Sequence, residues 1–223
     1  MIIKPDNEML SYSGRIDFDD RLAPVLVYAC SSIGMKFTGT SLKAVIANHR
    51  SCWTNELGYF IDGEQKRFTL SSDEEKKTYT LAEGLSEGTH ELLLFKRMDS
   101  CHTFTFYGFE IDDGAEVLPL PEKPKRKMEF FGDSVSCGEV SEAVAYVGKP
   151  DPEHDGEYSN SWYSYAWMTA RKLNAQIHDT SQGGISLLDD TGWFAAPHYK
   201  GVESCYDLSL IHISEPTRRS YIS

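Results

Sequence analysis

The chain has 223 residues, enough for one large domain or two small ones. Hydrophobic residues make up 40% of it and charged residues 25%, a composition typical of globular proteins. Lys and Arg number 22 and Asp and Glu 34, which gives a formal net charge of −12. A chain with this charge repels phosphate backbones and anionic lipid, so we expect no nucleic-acid and no membrane partner. A neutral ligand such as a sugar is not disfavoured.

The sequence shows neither a secretory signal nor a membrane span. The first ten residues include Lys4, Asp6, Asn7 and Glu8, and no apolar run approaches the roughly 18 residues that a span needs. The five cysteines are widely spaced and form no CxxC pair, which argues against a zinc site or a disulfide framework. We therefore expect a cytoplasmic protein with reduced thiols, and a secreted form that has lost its leader is the alternative.

Residues 12–118 show the periodicity of β-strands. Polar and apolar side chains alternate over residues 32–37 and 41–47. Further candidate strands cover residues 57–61, 77–81, 90–95 and 103–107, with glycine-containing turns between them. Many short strands at such intervals predict an all-β sandwich or barrel.

A proline-rich segment follows this β-rich half. Residues 118–127 contain three prolines and four basic residues. Proline fixes φ and removes a hydrogen-bond donor, so we predict a linker, centred on residues 121–127, rather than a nucleic-acid patch.

The periodicity changes after the linker. Residues 128–131 form a compact apolar strand, residues 161–174 a helix with its N-cap at Ser159 or Ser161, and residues 175–180 a second strand. The predicted buried face of the helix carries Trp162, Tyr165, Ala166, Thr169 and Leu173. Strand, helix and strand in this order predict a βαβ unit with parallel strands.

The first of these strands ends in Gly132-Asp133-Ser134, a sequence that can mount a serine nucleophile at the carboxyl edge of an α/β sheet. A serine hydroxyl needs a base to remove its proton and preorganised N–H donors to stabilise the oxyanion. Ser134 offers the hydroxyl and one N–H, and Gly183 in the next turn along that edge offers another, since glycine lets the backbone approach substrate closely. We expect Asp133 to fold the turn by accepting hydrogen bonds from nearby amides.

These residues resemble the motifs of a known hydrolase family. Residues 131–134 with Cys137 and Gly138 resemble block I of the SGNH (GDSL-type) hydrolases, and residues 181–184 resemble their block II glycine. The chain is similar to carbohydrate esterase family two, whose members start with a jelly-roll β-sandwich and end in an SGNH domain. The likeness runs to about residue 207 through segments 14–18, 37–42, 108–112 and 163–174.

The resemblance implies a domain order. It gives a jelly-roll β-sandwich in residues 1–120, a linker at 121–127, and the first part of an SGNH hydrolase domain, with a flavodoxin-like parallel sheet, in residues 128–207. It also implies hydrolysis of O-acetyl esters on plant polysaccharide or oligosaccharide. The implied partner is acetylated carbohydrate, and no metal or cofactor is expected.

Matching the family residue by residue implies the site. Ser134 is the catalytic nucleophile, and Ser134, Gly183 and Gly184 form the oxyanion hole. Gly132 and Asp133 shape the nucleophile turn.

Two parts of the family's site have no matching position, namely the asparagine of the third block and the late histidine base. His154 and His198 lie nearest to such a role, but a surface or packing role is the stronger expectation for both. Residues 208–223 contain a run that resembles translated sequencing-adapter sequence, so we interpret them as a non-native tail and His212 as non-catalytic. The fragment is then expected to be incomplete and inactive.

An incomplete second half has a structural consequence. Two parallel strands and one helix cannot cover both faces of an α/β sheet. We therefore expect the chain either to aggregate or to show a stable sandwich beside a loose second half, with Ile177, Leu187 and Trp193 as exposed apolar side chains.

Two other functions stay open. In one, the sandwich binds glycan through Trp53, Tyr59 and Tyr107, whose rings can stack on sugars, and the second half is not catalytic. In the other, the chain belongs to an SGNH lipase or thioesterase with a longer acyl substrate.

Overall fold

The computed structural model describes residues 1–195, 197–204 and 206. The strands in chain order are β1 (Ile2–Ile3), β2 (Ser11–Ser13), β3 (Ile16–Asp17), β4 (Val25–Leu26), β5 (Ser32–Thr38), β6 (Leu42–Arg50), β7 (Glu56–Ile61), β8 (Glu64–Thr69), β9 (Lys77–Ala82), β10 (Thr89–Lys96), β11 (His102–Ile111), β12 (Val117–Leu118), β13 (Arg126–Gly132) and β14 (Ala175–Ser181). The helices with bounds are α1 (Ser134–Cys137) and α2 (Tyr165–Lys172), 3₁₀ turns lie at Val144–Tyr146 and Ser161–Tyr163, and residues 202–204 and 206 are also helical.

The first twelve strands form two antiparallel sheets that pack as a sandwich. One sheet has the order β3-β4-β11-β6-β9 with β1 added to β11, and the other has the order β12-β5-β10-β7-β8 with β2 added to β5. A main core fills the space between the sheets, including Phe37, Ile46, Leu94, Phe104 and Phe106. The predicted β-sandwich is confirmed at this level.

Five of the six predicted strand segments fall within β5, β7, β9, β10 and β11, and the sixth, residues 41–47, begins one residue before β6. Strand β8 was not predicted, because its sequence is polar and mostly exposed and it pairs along the open side of β7. The linker is shorter than predicted, since Arg126 and Lys127 already belong to β13.

The sheet that contains β10 is covered on both faces. Leu92 and Leu94 of β10 point into the main core, whereas Leu93 and Phe95 point to a second core on the opposite face. The buried members of this second core are Ala29, Cys30, Phe95, Cys137, Ala166, Trp167, Ala170 and Ile177. The second core therefore joins the sandwich to the segment that follows the linker.

Strands β13 and β14 are parallel, as predicted. Their register pairs Arg126 with Ala175 and ends with Gly132 opposite Ser181, so both strands finish at one edge. The turns after them carry Ser134 and Gly183 at that edge.

Helix α2 begins later than predicted. Its N-cap is Ser164, whose hydroxyl accepts a hydrogen bond from the Trp167 amide at 3.1 Å. Ser161, a predicted cap, instead donates its hydroxyl to the Lys96 carbonyl at 2.7 Å and its amide to the Arg97 carbonyl at 2.9 Å. These tertiary bonds hold residues 161–163 in a 3₁₀ turn outside the helix.

The buried face of α2 also differs from the prediction. Ala166, Trp167 and Ala170 are buried, while Tyr165 is 50% and Leu173 45% exposed. The sandwich contacts α2 from one side only. The helix therefore needs to bury no more than the narrow stripe formed by Ala166, Trp167 and Ala170.

Of the three apolar side chains expected at the surface, Leu187 and Trp193 are 71% and 79% exposed. Ile177 is only 2% exposed, because the sandwich itself covers β14 through the second core. The tail at 208–223, including His212, lies outside the described residues. Among the described residues, no helix is both long and apolar enough to cross a bilayer.

Candidate active site

Ser134 stands on the turn between β13 and α1. Asp133 caps α1, and its Oδ1 accepts a hydrogen bond from the Val135 amide at 3.0 Å, which is the turn-forming contact that the sequence leads us to expect. A side chain at Gly132 would collide with the Ser136 hydroxyl, so the strand needs glycine where it meets the turn. The turn thereby fixes the position of the Ser134 backbone.

Ser134 is half-buried, so its side chain has access to solvent. Neither its hydroxyl nor its amide donates a hydrogen bond to any residue that the structure describes. Its carbonyl accepts the amides of Gly138 and Glu139, which closes α1 behind it. A free hydroxyl and a free amide on the same residue are what a nucleophile that also supplies an oxyanion donor requires.

The glycine turn, residues 182–184, follows β14 at the same edge. The Gln182 amide donates to the Gly132 carbonyl at 3.1 Å, which ties this turn to the strand that carries Ser134. The Gly183 amide donates to Asp99 Oδ2 at 2.8 Å, so this predicted oxyanion donor is already engaged by a protein acceptor. Gly184 has φ +76°, and in the described structure its amide has no protein acceptor.

Two carboxyl groups flank the glycine turn. A Cβ on Gly183 would collide with Glu139 Oε1 and lie 2.6 Å from Asp99 Oδ2. The sequence leads us to expect glycine here for the approach of substrate, but in the structure these side chains occupy the space. Burial, followed by the charge and the hydrogen bond of Asp99, raises the pKa of Glu139 to about 8.

Another buried acid lies on β14, opposite Phe130 of β13. Asp179 of β14 is fully buried, and burial raises its pKa to about 7, although hydrogen bonds from Ser181 and Cys30 act in the opposite direction. The Cys30 thiol lies 3.4 Å from Asp179 Oδ2. This carboxyl belongs to the contact between the two halves.

No histidine is hydrogen-bonded to Ser134 within the described residues. The His154 ring lies tilted beside Trp53, with ring centroids 5.7 Å apart, and its Nε2 is 4.0 Å from Asp151 Oδ2. His198 is exposed. His102 is fully buried, and burial together with the charge of Lys96 lowers its pKa to about 4, so it stays neutral. The described structure therefore presents a nucleophile without its base.

The aromatic residues considered for sugar stacking differ in how accessible they are to a ligand. Tyr59 is buried in the main core and donates its hydroxyl to the Leu81 carbonyl at 2.9 Å, so it is not available to a ligand. Tyr107 is half-buried with the Lys76 ammonium 4.4 Å from its ring centroid. Trp53 is half-buried beside His102 and His154.

The fold first defines the class of the chain, an antiparallel β-sandwich with an appended α/β segment. Residues 12–121 match the family model of the carbohydrate esterase 2 N-terminal domain. The chain therefore carries the N-terminal domain of carbohydrate esterase family two, and the resemblance recognised from the sequence is confirmed.

Individual relatives agree with this assignment. The chain is 32% identical over 193 residues to the cellulase/esterase CelE of Acetivibrio thermocellus, an alignment that covers 86% of this chain and 23% of that protein. It is 27% identical over 165 residues to the acetylxylan esterase / glucomannan deacetylase of Cellvibrio japonicus, covering 71% of this chain and 44% of that protein. The chain thus spans less than half the length of these curated relatives.

Solved structures give the same picture. A family two carbohydrate esterase from Clostridium thermocellum in complex with cellohexaose superposes with a TM-score of 0.73 at 30% identity, covering 84% of this chain and 55% of that chain. A family two carbohydrate esterase from Cellvibrio japonicus gives a TM-score of 0.70 at 23% identity, covering 84% and 54%, which shows a shared fold.

Sequence reasoning missed Asp99 and Glu139. Asp99 lies in the loop between β10 and β11, in the half that we read only as a sandwich. No spacing relates it to the serine turn, because only the packing of the two halves brings them together. Glu139 follows Gly138 directly, and its proximity to the motif was the one available signal.

Proposed function

We propose that this chain is the N-terminal part of a carbohydrate O-acetyl esterase in which Ser134 is the nucleophile. The observation that carries the proposal is the Ser134 turn, with hydroxyl and amide both unpaired in the described structure, at the edge where the glycine turn also lies. The relatives named as esterases support the same activity.

The proposal includes the fold of the second half. We take residues 128–207 as the start of an SGNH-type α/β domain and the twelve-stranded sandwich as a jelly roll. Support comes from the parallel β13–β14 pair and the serine turn that follows β13. An asparagine-containing block and a late histidine, both expected in the natural protein, have no counterpart among the described residues.

The reaction would proceed by acyl transfer. Ser134 Oγ attacks the acetyl carbonyl while a base takes its proton, and the new oxyanion lies against the Ser134 amide and an amide of the glycine turn. The sugar hydroxyl leaves, and water then releases acetate from the acyl-enzyme. The described residues supply the nucleophile and the donors, and the base has to come from elsewhere in the natural protein.

The substrate we propose is acetylated plant polysaccharide or oligosaccharide. One relative is named acetylxylan esterase / glucomannan deacetylase, and another was solved with cellohexaose. These glycans are neutral, and the net charge of −12 disfavours nucleic acid and anionic membranes but not such substrates. A cytoplasmic location remains a prediction.

The first prediction concerns Ser134. In the product of the intact gene, Ser134→Ala should lower acetate release from acetylated xylan and from an aryl acetate by roughly a thousandfold or more, because the nucleophile is lost. The matched control is Ser141→Ala, an exposed serine that donates its hydroxyl to the Asn160 carbonyl at 2.9 Å. Unchanged turnover by Ser134→Ala would disprove the assignment.

Two further measurements separate the alternatives. A series of acyl lengths distinguishes an acetyl esterase from a lipase or thioesterase, since only the former loses activity steeply beyond acetate. Glycan binding by the sandwich with no hydrolysis by the intact protein would favour a binding module, for which Trp53 and Tyr107 remain available.

A further inference from the structure

The loop between β10 and β11 reaches from the sandwich to the glycine turn. Asp99 of this loop accepts the Gly183 amide at 2.8 Å and the Gln182 side-chain amide at 2.7 Å, both through Oδ2. Ser100 in the same loop donates its hydroxyl to the Gln182 side-chain carbonyl. Both polar ends of Gln182 and the amide of Gly183 are therefore held by the sandwich.

The loop is itself fixed from inside the sandwich. Asp99 is only 2% exposed, and its Oδ1 accepts the Cys101 amide at 3.0 Å. The fully buried Lys96 ammonium donates to the carbonyl of Met98 at 2.6 Å and to that of Asp99. A buried carboxylate with its backbone pinned in this way is a rigid acceptor, since neither its side chain nor its backbone can move without breaking buried hydrogen bonds.

The same carboxyl contacts the nucleophile segment. Glu139 follows the C-cap of α1, and its carboxyl group lies beside that of Asp99, because a Cβ on Gly183 would collide with an oxygen of each. Asp99 thus connects the segment after Ser134 with the glycine turn. Its carboxyl group hydrogen-bonds to the Gly183 amide and lies beside the Glu139 carboxyl group.

This geometry also separates the two glycines. The amide of Gly183 points to Asp99, so it is occupied, whereas the amides of Gly184 and Ser134 have no acceptor within the described structure. An oxyanion hole needs donors that are free in the resting enzyme.

We infer that Asp99 is a positioning residue that holds the glycine turn so that Gly184, rather than Gly183, presents the second oxyanion donor beside Ser134. The inference rests on the proposed esterase function. It also assigns a role to the sandwich, which supplies a structural part of the hydrolytic site.

A pH dependence follows from the closeness of the Asp99 and Glu139 carboxyl groups beside Gly183. When Glu139 ionises, it repels Asp99 and weakens the link between the nucleophile segment and the glycine turn. Because burial and Asp99 raise the pKa of Glu139 to about 8, this loss belongs to the alkaline side of the pH profile. The other titratable groups that face the pair are Lys96, Cys101, His102, Asp133 and Cys137.

The test compares variants of the intact enzyme on an aryl acetate. Asp99→Ala should lower kcat by about a hundredfold with KM within twofold, because a misplaced donor affects the transition state more than substrate binding. Asp99→Asn keeps an acceptor and should restore part of kcat. Glu139→Gln should remove the fall in kcat near pH 8. Asp113→Asn, at a fully exposed aspartate of the sandwich, is the matched control.

A second measurement uses the present chain and needs no activity. The Gly183 amide should exchange with solvent at least tenfold faster in Asp99→Ala than in the unsubstituted chain, while the Gly148 amide, on an exposed turn, should not change. Wild-type kcat, KM and pH profile in Asp99→Ala, with Ser134→Ala inactive, would overturn the inference and leave the proposed function intact. An active Ser134→Ala would instead overturn the proposed function.

Discussion

The Gly183 environment shows how one residue can satisfy a motif for an unexpected reason. The sequence predicts glycine there so that substrate can approach the backbone. In the structure, the carboxyl groups of Asp99 and Glu139 fill that space and would collide with any Cβ. The glycine is required by the contact with the sandwich whether or not its amide takes part in catalysis.

The burial of Asp179 should make the stability of the chain depend on pH. It is fully buried between the halves, with hydrogen bonds from Ser181 and Cys30, and burial raises its pKa to about 7. Between the unfolded value of 3.8 and about 7, the folded chain binds more protons than the unfolded chain. The contribution of Asp179 to stability is therefore complete below about pH 4 and is lost as the pH rises toward 7.

Asp179→Asn should remove this pH dependence. We expect the variant to gain stability relative to the unsubstituted chain, on the order of 3 kcal/mol, as the pH rises from 4 to 8, because asparagine has no charge to bury. Urea unfolding at several pH values measures the difference, with Asp113→Asn as the exposed control. A difference that stays constant across this range would contradict the prediction.

At the scale of single residues, the serine turn could be read from the sequence and its neighbours could not. Ser134, Asp133 and Gly132 are contiguous, so their joint geometry is local and a short motif encodes it. Asp99 lies 35 positions before Ser134. Its role depends on the packing of one half against the other, and no periodicity in the sequence records that packing.

Among the secondary-structure elements, β10 is the most informative. Its run of apolar residues, 92–95, breaks the simple alternation of a half-exposed strand, because alternate side chains enter two different cores. Gly58 lies opposite Phe95 on β7, and a side chain there would collide with the Phe95 ring. The outward face of β10 is therefore shaped to receive α2.

Helix α2 depends on its cap as well as on that face. Ser164→Ala removes the acceptor of the Trp167 amide and should lower stability of the second half by about 1 kcal/mol. Ser72→Ala, at an exposed serine of the sandwich, should change stability by less than roughly 0.5 kcal/mol. Chemical denaturation followed by tryptophan fluorescence compares the two, and equal effects would argue against the cap.

The sequence predicts some secondary-structure elements and misses others, for physical reasons. Strands with one buried face were found from their alternation, because burial on one side imposes a period of two. The polar strand β8 and the late start of α2 were not found. Strand β8 pairs with its neighbour β7 across a two-residue turn, but its polar sequence lacks the alternation that burial imposes. The hydrogen bonds of Ser161 to residues 96 and 97 are set by neighbours distant in sequence.

The whole molecule is organised around two cores of unequal size. The main core closes within the sandwich, whereas the second core needs Phe95 from the sandwich and Trp167 and Ile177 from the later segment. Within the described residues, the side of the second core away from the sandwich is formed by the short helix α1, helix α2 and the two-stranded β13–β14 sheet. We therefore expect the second half to unfold first and the sandwich to remain folded beyond that point.

Substitutions in the two cores should act on different transitions. Phe95→Ala should destabilise the second half by about 3–5 kcal/mol and lower the midpoint seen by the fluorescence of Trp162 and Trp167. Phe104→Ala, in the main core, should mainly lower the midpoint seen by circular dichroism of the strands. One cooperative transition by both probes, shifted equally by both variants, would contradict this division.

The bonds from the β10–β11 loop to Gln182 and Gly183 bear on how such proteins can be recombined. Grafting an unrelated β-sandwich in front of residue 126 would preserve the serine turn but remove the acceptor for the Gly183 amide. A chimera would have to carry this loop with it. By the same reasoning, the two halves are expected to have diverged together, since a change on one side of this junction requires a compensating change on the other.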